Sequence, residues 1–164
     1  MRILITGTTG FVGHKLKAWY TDAIAAPSLR NATQDMVKKI VEESEADVVI
    51  HTAAISDIGT CQKDPQSSYF ANVQIPLYLA AACKDRKLIC FSSDQVYSAC
   101  KEEEPYIEEV VKPGNIYAEH KLEMEERVLE LVPSAVMLRA EWMYDYVSPK
   151  PNYFLNVLHA SQQV

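Results

Sequence analysis

Glycine is scarce in this chain: there are five in 164 residues, and three of them fall between positions 7 and 13. Basic charge is also in deficit, with 16 Lys and Arg against 22 Asp and Glu and a net charge of -6. That balance excludes a sequence-blind nucleic-acid binder, which needs a basic face. It equally opposes adhesion to an anionic membrane. No apolar run reaches the roughly 18–20 residues of a membrane span. The apolar start at Met1–Ile5 is too short for a secretory signal and is expected to be a buried strand instead. The four cysteines, Cys61, Cys83, Cys90 and Cys100, contain no CxxC pair and no metal-ligand spacing. They are expected to be reduced, mostly buried thiols of a cytoplasmic protein, with no metal site.

What is present is a globular composition, 48% hydrophobic and 23% charged, at the size of one ordinary domain. Short apolar runs at 2–6, 23–26, 47–52, 87–92 and 135–139 read as strands. Between them lie helical segments. The stripe Phe11, Val12, Leu16, Trp19, Tyr20 marks the first. Met36, Val37, Ile40 and Val41 share a face of the second, with Asn31 or Thr33 as its cap. Pro65 suits the first turn of a third, and Pro76 should kink or divide it. Pro113-Gly114-Asn115 opens a helix running to about Leu131. Phe154 to His159 reads as the start of another. Strands alternating with helices predict an α/β fold with a parallel sheet.

The glycines sit in Thr6-Gly7-Thr8-Thr9-Gly10-Phe11-Val12-Gly13, directly after the first strand and at the opening of a helix. In that context GxxGxxG is a dinucleotide-binding turn. The backbone from Gly7 through Thr9, Gly10, Phe11, Val12 and Gly13 is expected to hold a pyrophosphate on free amides at the positive end of the helix. No Gly-Lys-Ser/Thr closes the motif, which disfavours an NTPase loop. An enzyme using NAD usually carries an acid after its second strand. This chain has Ala26-Pro27-Ser28-Leu29-Arg30 there, and Ser28 with Arg30 would suit a 2′-phosphate, favouring NADP over NAD.

Three Tyr-x-x-x-Lys pairs occur, at Tyr97, Tyr117 and Tyr146. Only Tyr117–Lys121 lies in a strong amphipathic helix, where four residues put both on one face. A tyrosine beside a lysine ammonium can act as a proton donor or acceptor, because the cation favours the phenolate. Ser92-Ser93 ends the strand 87–92, at the edge of a parallel sheet where ligands bind. Ser93 is therefore the expected hydrogen-bond donor to a substrate oxygen. His120 points off the Tyr–Lys face and reads as a surface residue. His51 reads as structural.

Taken together these stretches resemble the extended short-chain dehydrogenase/reductase family, in its dTDP-4-dehydrorhamnose reductase-like branch. The resemblance rests on TGTTGFVG at 6–13, DVVIHTAA at 47–54, Asp64-Pro65 with Asn72-Val73, and FSSDQVY at 91–97. It continues through PYIEE at 105–109, YAEHK at 117–121 and MLRAEWMY at 137–144. It implies a Rossmann-type doubly wound sheet of order 3-2-1-4-5-6, with residues 1–143 as core and 144–164 as a remnant of a substrate domain that is otherwise largely absent. It implies Tyr117 as acid/base, Lys121 lowering its pKa and holding the nicotinamide ribose, and Ser93 as the catalytic serine. Ala53, Ala54, Asn72 and Ser92 are the further cofactor positions it implies. The implied activity is NAD(P)-dependent reduction of a keto group on a nucleotide-linked sugar, with a homodimer through residues 66–83 and 114–131. The alternatives are an NAD-dependent nucleotide-sugar epimerase or dehydratase, and a non-catalytic dinucleotide-binding protein.

Overall fold

Five strands pair entirely in parallel in the order β2-β1-β3-β4-β5. They are β1 (Ile3–Thr6), β2 (Ile24–Ala25), β3 (Val48–His51), β4 (Lys87–Ser93) and β5 (Val136–Ala140). The molecule is a computed structural model that describes residues 1–101, 105–145 and 157. The helices are α1 (Phe11–Trp19), α2 (Gln34–Ser44), α3 (Ile58–Lys63), α4 (Pro65–Tyr69), α5 (Ile75–Ala82) and α6 (Ile116–Leu131). The helix expected from Phe154, and with it most of the 144–164 remnant, lies outside the described residues.

Right-handed crossovers decide which face each helix covers. From β1 the chain moves outward through α1 to β2, then doubles back past β1 to β3 and onward. Helix α1 therefore lies on one face, and α2, α5 and α6 on the other. Leu4, Val49 and Leu88 stand level across β1, β3 and β4. They bury against Val37 and Val41 of α2, Leu79 of α5, and Met124 and Val128 of α6. The opposite face carries a smaller core of Ile3, Ile5, Ala23 and Ile50 under Leu16. Trp19 and Tyr20, which share Leu16's stripe in the sequence, are exposed instead. They fall where α1 ends, past the edge of that small core.

The Rossmann-type architecture holds, but the expected six-strand order loses its outermost strand among the described residues. Only residues 26–33 separate β2 from α2, and a parallel crossover needs about a dozen. Pro27 lacks an amide to donate to a ladder. The segment instead tucks in Leu29 and Ala32, closes a turn from the Ala32 amide to the Leu29 carbonyl (3.1 Å), and enters α2 at its N-cap Thr33.

Pro76 divides its helix as anticipated. A wide π-helical turn, Phe70–Gln74, precedes α5 and is closed by the Ile75 amide reaching the Phe70 carbonyl. The turn absorbs the amide that Pro76 lacks and rotates Asn72 into the interior.

Candidate active site

The glycine turn is built by two close approaches that no side chain would allow. Gly7 adopts φ +72, and a Cβ there would lie 2.6 Å from the Ala53 amide nitrogen. A Cβ on Gly13 would lie 2.3 Å from the Gly7 carbonyl oxygen and 2.6 Å from Thr52 Oγ1. Thr52 itself donates to the Thr6 carbonyl (2.7 Å), tying β3 to β1 beneath the turn. Helix α1 is thus seated hard against the carboxyl ends of both strands. Gly10 is its N-cap and offers no capping side chain. The amides of Phe11, Val12 and Gly13 are left without intrahelical acceptors at the positive helix end. This cradle, which a Cβ would fill, fits a pyrophosphate. Thr9 and Gly10 are exposed beside it, and Phe11 and Val12 are half-buried.

Ala53 and Ala54 follow β3, and the Ala53 backbone packs against Gly7. Asn72 lies in the π-helical turn before α5. Its amide is fully buried and holds the loop after β3, accepting from the Ile55 amide (3.1 Å) and donating to the Ile55 carbonyl (2.9 Å) and Ser68 Oγ (3.2 Å). Asn72 thereby fixes the loop that follows Ala53 and Ala54.

Ser93, Tyr117 and Lys121 are brought together at the carboxyl end of β4. Asn115 starts α6 by accepting from the Ala118 amide (2.9 Å), which places Tyr117 in the first turn and Lys121 one turn on. All three side chains are buried. The Lys121 ammonium donates to the Phe91 carbonyl (2.8 Å) and stands 5.8 Å from the Tyr117 ring centre. Burial pushes the Lys121 pKa down to about 8, against the upward pull of Cys90, Glu125 and Cys61. Burial also pushes the Tyr117 phenol above its usual value near 10; its hydrogen bond with Ser93 works the other way, and Cys61 and Asp94 push further up. Lys121 is not among the groups that set this shift. Desolvation outweighs a cation that is turned toward a backbone carbonyl. The phenol stays protonated at neutral pH.

The remaining expected residues are scattered more widely. Ser92 is buried, and its hydroxyl has no hydrogen-bond partner among the described residues. Arg30 is exposed at the far end, its amide 3.5 Å from Ser28 Oγ. His120 is half-buried, not superficial: Nδ1 meets Ser68 Oγ (2.8 Å), and its ring abuts Tyr69 edge-on. Sequence reasoning did not single out Glu125 or Arg139, which form the densest polar junction beside the site.

His51 is buried, pairs through Nδ1 with Thr6 Oγ1 (2.7 Å), and leaves Nε2 unpartnered. Burial, helped by the Lys121 charge, pushes its pKa down to about 3. Between pH 6.5 and 3 the unfolded chain binds a proton that the folded chain refuses, so stability falls as pH drops through that window. The full effect is up to about 5 kcal/mol. Chemical denaturation at stepped pH should show this loss in the native chain and a flatter dependence in His51→Gln.

Fold and site define a Rossmann-type α/β domain with a serine, a tyrosine and a lysine at the carboxyl edge of its sheet. Residues 1–163 match the family model described as RmlD substrate binding domain, and the chain belongs to that family. It is 33% identical over 152 residues to dTDP-4-dehydrorhamnose reductase of Mycolicibacterium smegmatis, covering 87% of this chain and 46% of that protein. It is 32% identical over 114 residues to the probable low-salt glycan biosynthesis reductase Agl14 of Haloferax volcanii, covering 67% of this chain and 37% of that protein. Among solved structures it resembles a dTDP-4-dehydrorhamnose reductase from Clostridium acetobutylicum, with TM-score 0.88, 26% identity, and coverage of 99% of this chain and 60% of that one. It also resembles RMD from Pseudomonas aeruginosa complexed with NADPH, with TM-score 0.67, 25% identity, and coverage of 85% and 52%. The chain spans about half the length of the curated relatives it matches.

Proposed function

We propose that this chain carries the dinucleotide-binding and proton-transfer parts of an NADPH-dependent reductase acting on a keto group of a nucleotide-linked sugar. The observation that carries the reading is the convergence of Ser93, Tyr117 and Lys121 at the sheet edge that also holds the glycine cradle. The residues between Gly7 and Gly13 would hold the pyrophosphate, with Ala53 and Ala54 along the crevice. Arg30, in a stretch from 25 to 30 that holds no acid, would meet a 2′-phosphate. When bound, the reduced nicotinamide supplies a hydride to the keto carbon. Tyr117 then gives its proton to the keto oxygen, Ser93 holds that oxygen by a hydrogen bond, and Lys121 stands ready for the ribose hydroxyls and the returning charge on Tyr117. Residues 1–143 would form the core of this unit, with 144–164 a remnant of the substrate-domain region.

A cytoplasmic setting belongs to the same reading, supported by four free thiols. So does a homodimer through 66–83 and 114–131. An apolar hollow lined by Pro65, Gln66, Tyr69, Phe70, Gln74 and His120 lies on that helix pair. The test is spectrophotometric. Addition of a dTDP-linked 4-keto-6-deoxy sugar should consume NADPH in proportion to product. A protein that purifies with bound NAD and converts nucleotide sugars without net reductant would overturn the reductase in favour of an epimerase or dehydratase.

A further inference from the structure

Arg139 makes more side-chain hydrogen bonds than its position on an outer strand requires. From β5 its Nε reaches both oxygens of Glu125 (3.0 and 3.1 Å), and Nη2 reaches Oε2 (2.6 Å). Nη1 donates to Tyr97 Oη (2.5 Å) and to the Glu108 carbonyl (2.6 Å). The guanidinium also lies 5.2 Å from the Tyr97 ring centre, and Tyr97 stacks on Tyr106. Two of these partners belong to elements that carry the site. Glu125 lies one turn beyond Lys121 on α6, and Tyr97 closes the turn that begins after Ser93.

The carboxylate of Glu125 is buried, and four residues along a helix is ordinary ion-pairing distance from Lys121. Yet Lys121 bonds the Phe91 carbonyl instead. We propose that Arg139 is a positioning residue for the Tyr117–Lys121 pair: by occupying both oxygens of Glu125 it keeps that carboxylate from capturing Lys121, and it locks α6 to the turn that follows Ser93. The role rests on the proposed function for its purpose. Its electrostatic content does not depend on turnover.

The groups facing Lys121 are His51 from β3, Cys90 from β4, Cys61 from α3, and Tyr117 and Glu125 from α6. Among these, Glu125 is the one carboxylate. Freed from Arg139 it should hold the Lys121 proton more tightly; removed, it should hold it less.

The experiment is NMR titration of the lysine side chains in the whole chain, with Lys121 assigned by its loss in Lys121→Met. Arg139→Gln should raise the Lys121 titration by roughly 1 unit and Glu125→Gln should lower it, with the double variant returning toward the native value. Arg139→Lys, which keeps a charge but not the two-pronged grip, should fall between native and Arg139→Gln. A role confined to stability would move both single variants the same way or neither, and that result overturns the proposal. Should Arg139→Gln fail to fold, Glu125→Gln decides alone: an unchanged or raised Lys121 titration overturns it. A native chain that binds no dinucleotide would defeat the proposed function and leave this measurement intact.

Discussion

Gly13→Ala is expected to cost about 3 kcal/mol of stability and to weaken NADPH binding roughly 100-fold or more. The added methyl would sit 2.3 Å from a backbone oxygen and 2.6 Å from Thr52 Oγ1, and the backbone contact cannot rotate away. Relief requires α1 to retreat from β1, which carries the amides of Phe11 to Gly13 out of the crevice. Stability and affinity should therefore fall together. Gly7→Ala should behave alike, since it adds a left-handed φ to a clash with Ala53. Gly59→Ala is the contrast. Its methyl would meet nothing nearer than 3.5 Å, within α3, and should be neutral or slightly stabilising. Thermal unfolding and calorimetry on the three variants check the set. A Gly13→Ala protein that binds NADPH normally would remove the cradle from the account.

Tyr117→Phe should separate chemistry from binding. The phenol is the proton source in the proposed reduction, so its loss should lower turnover by about 10²–10⁴. The aromatic ring remains packed, and NADPH affinity should change by less than about threefold, under 1 kcal/mol. Ser93→Ala removes one hydrogen bond to the developing oxyanion and should cost roughly 10² in kcat. Its effect on KM should be small, because that bond strengthens only as charge appears on the oxygen. Single-turnover rates with NADPH present in excess measure both. If Tyr117→Phe lost NADPH binding instead, the side chain would be part of the cofactor wall and not the proton donor.

The strand positions were legible in the sequence because each is a short apolar run bounded by polar residues, glycine or proline. The start of α6 was legible because Asn115 and the Pro-Gly pair before it are strong start signals. Glycine spacing revealed Gly7 and Gly13 because close backbone approach admits no other residue. What stayed hidden depended on contacts distant in the chain. The missing outer strand follows from the brevity of 26–33, a length argument that motif matching overlooks. The hold of Asn72 on Ile55 depends on the π-helical turn before α5, which residue spacing does not show. Tyr117's upward shift comes from burial, which residue spacing does not show. Arg139 and Glu125 lie 14 residues apart and meet only because β5 returns beside α6.

Calorimetric titration of the native chain with NADPH, with NADH alongside, tests the central claim most directly. A single saturable site that prefers NADPH, and that Arg30→Glu turns toward NADH, is the result predicted by a glycine cradle at α1 and a 2′-phosphate contact after β2. Absence of heat and of competition with either dinucleotide, in a chain shown to be folded, would contradict it.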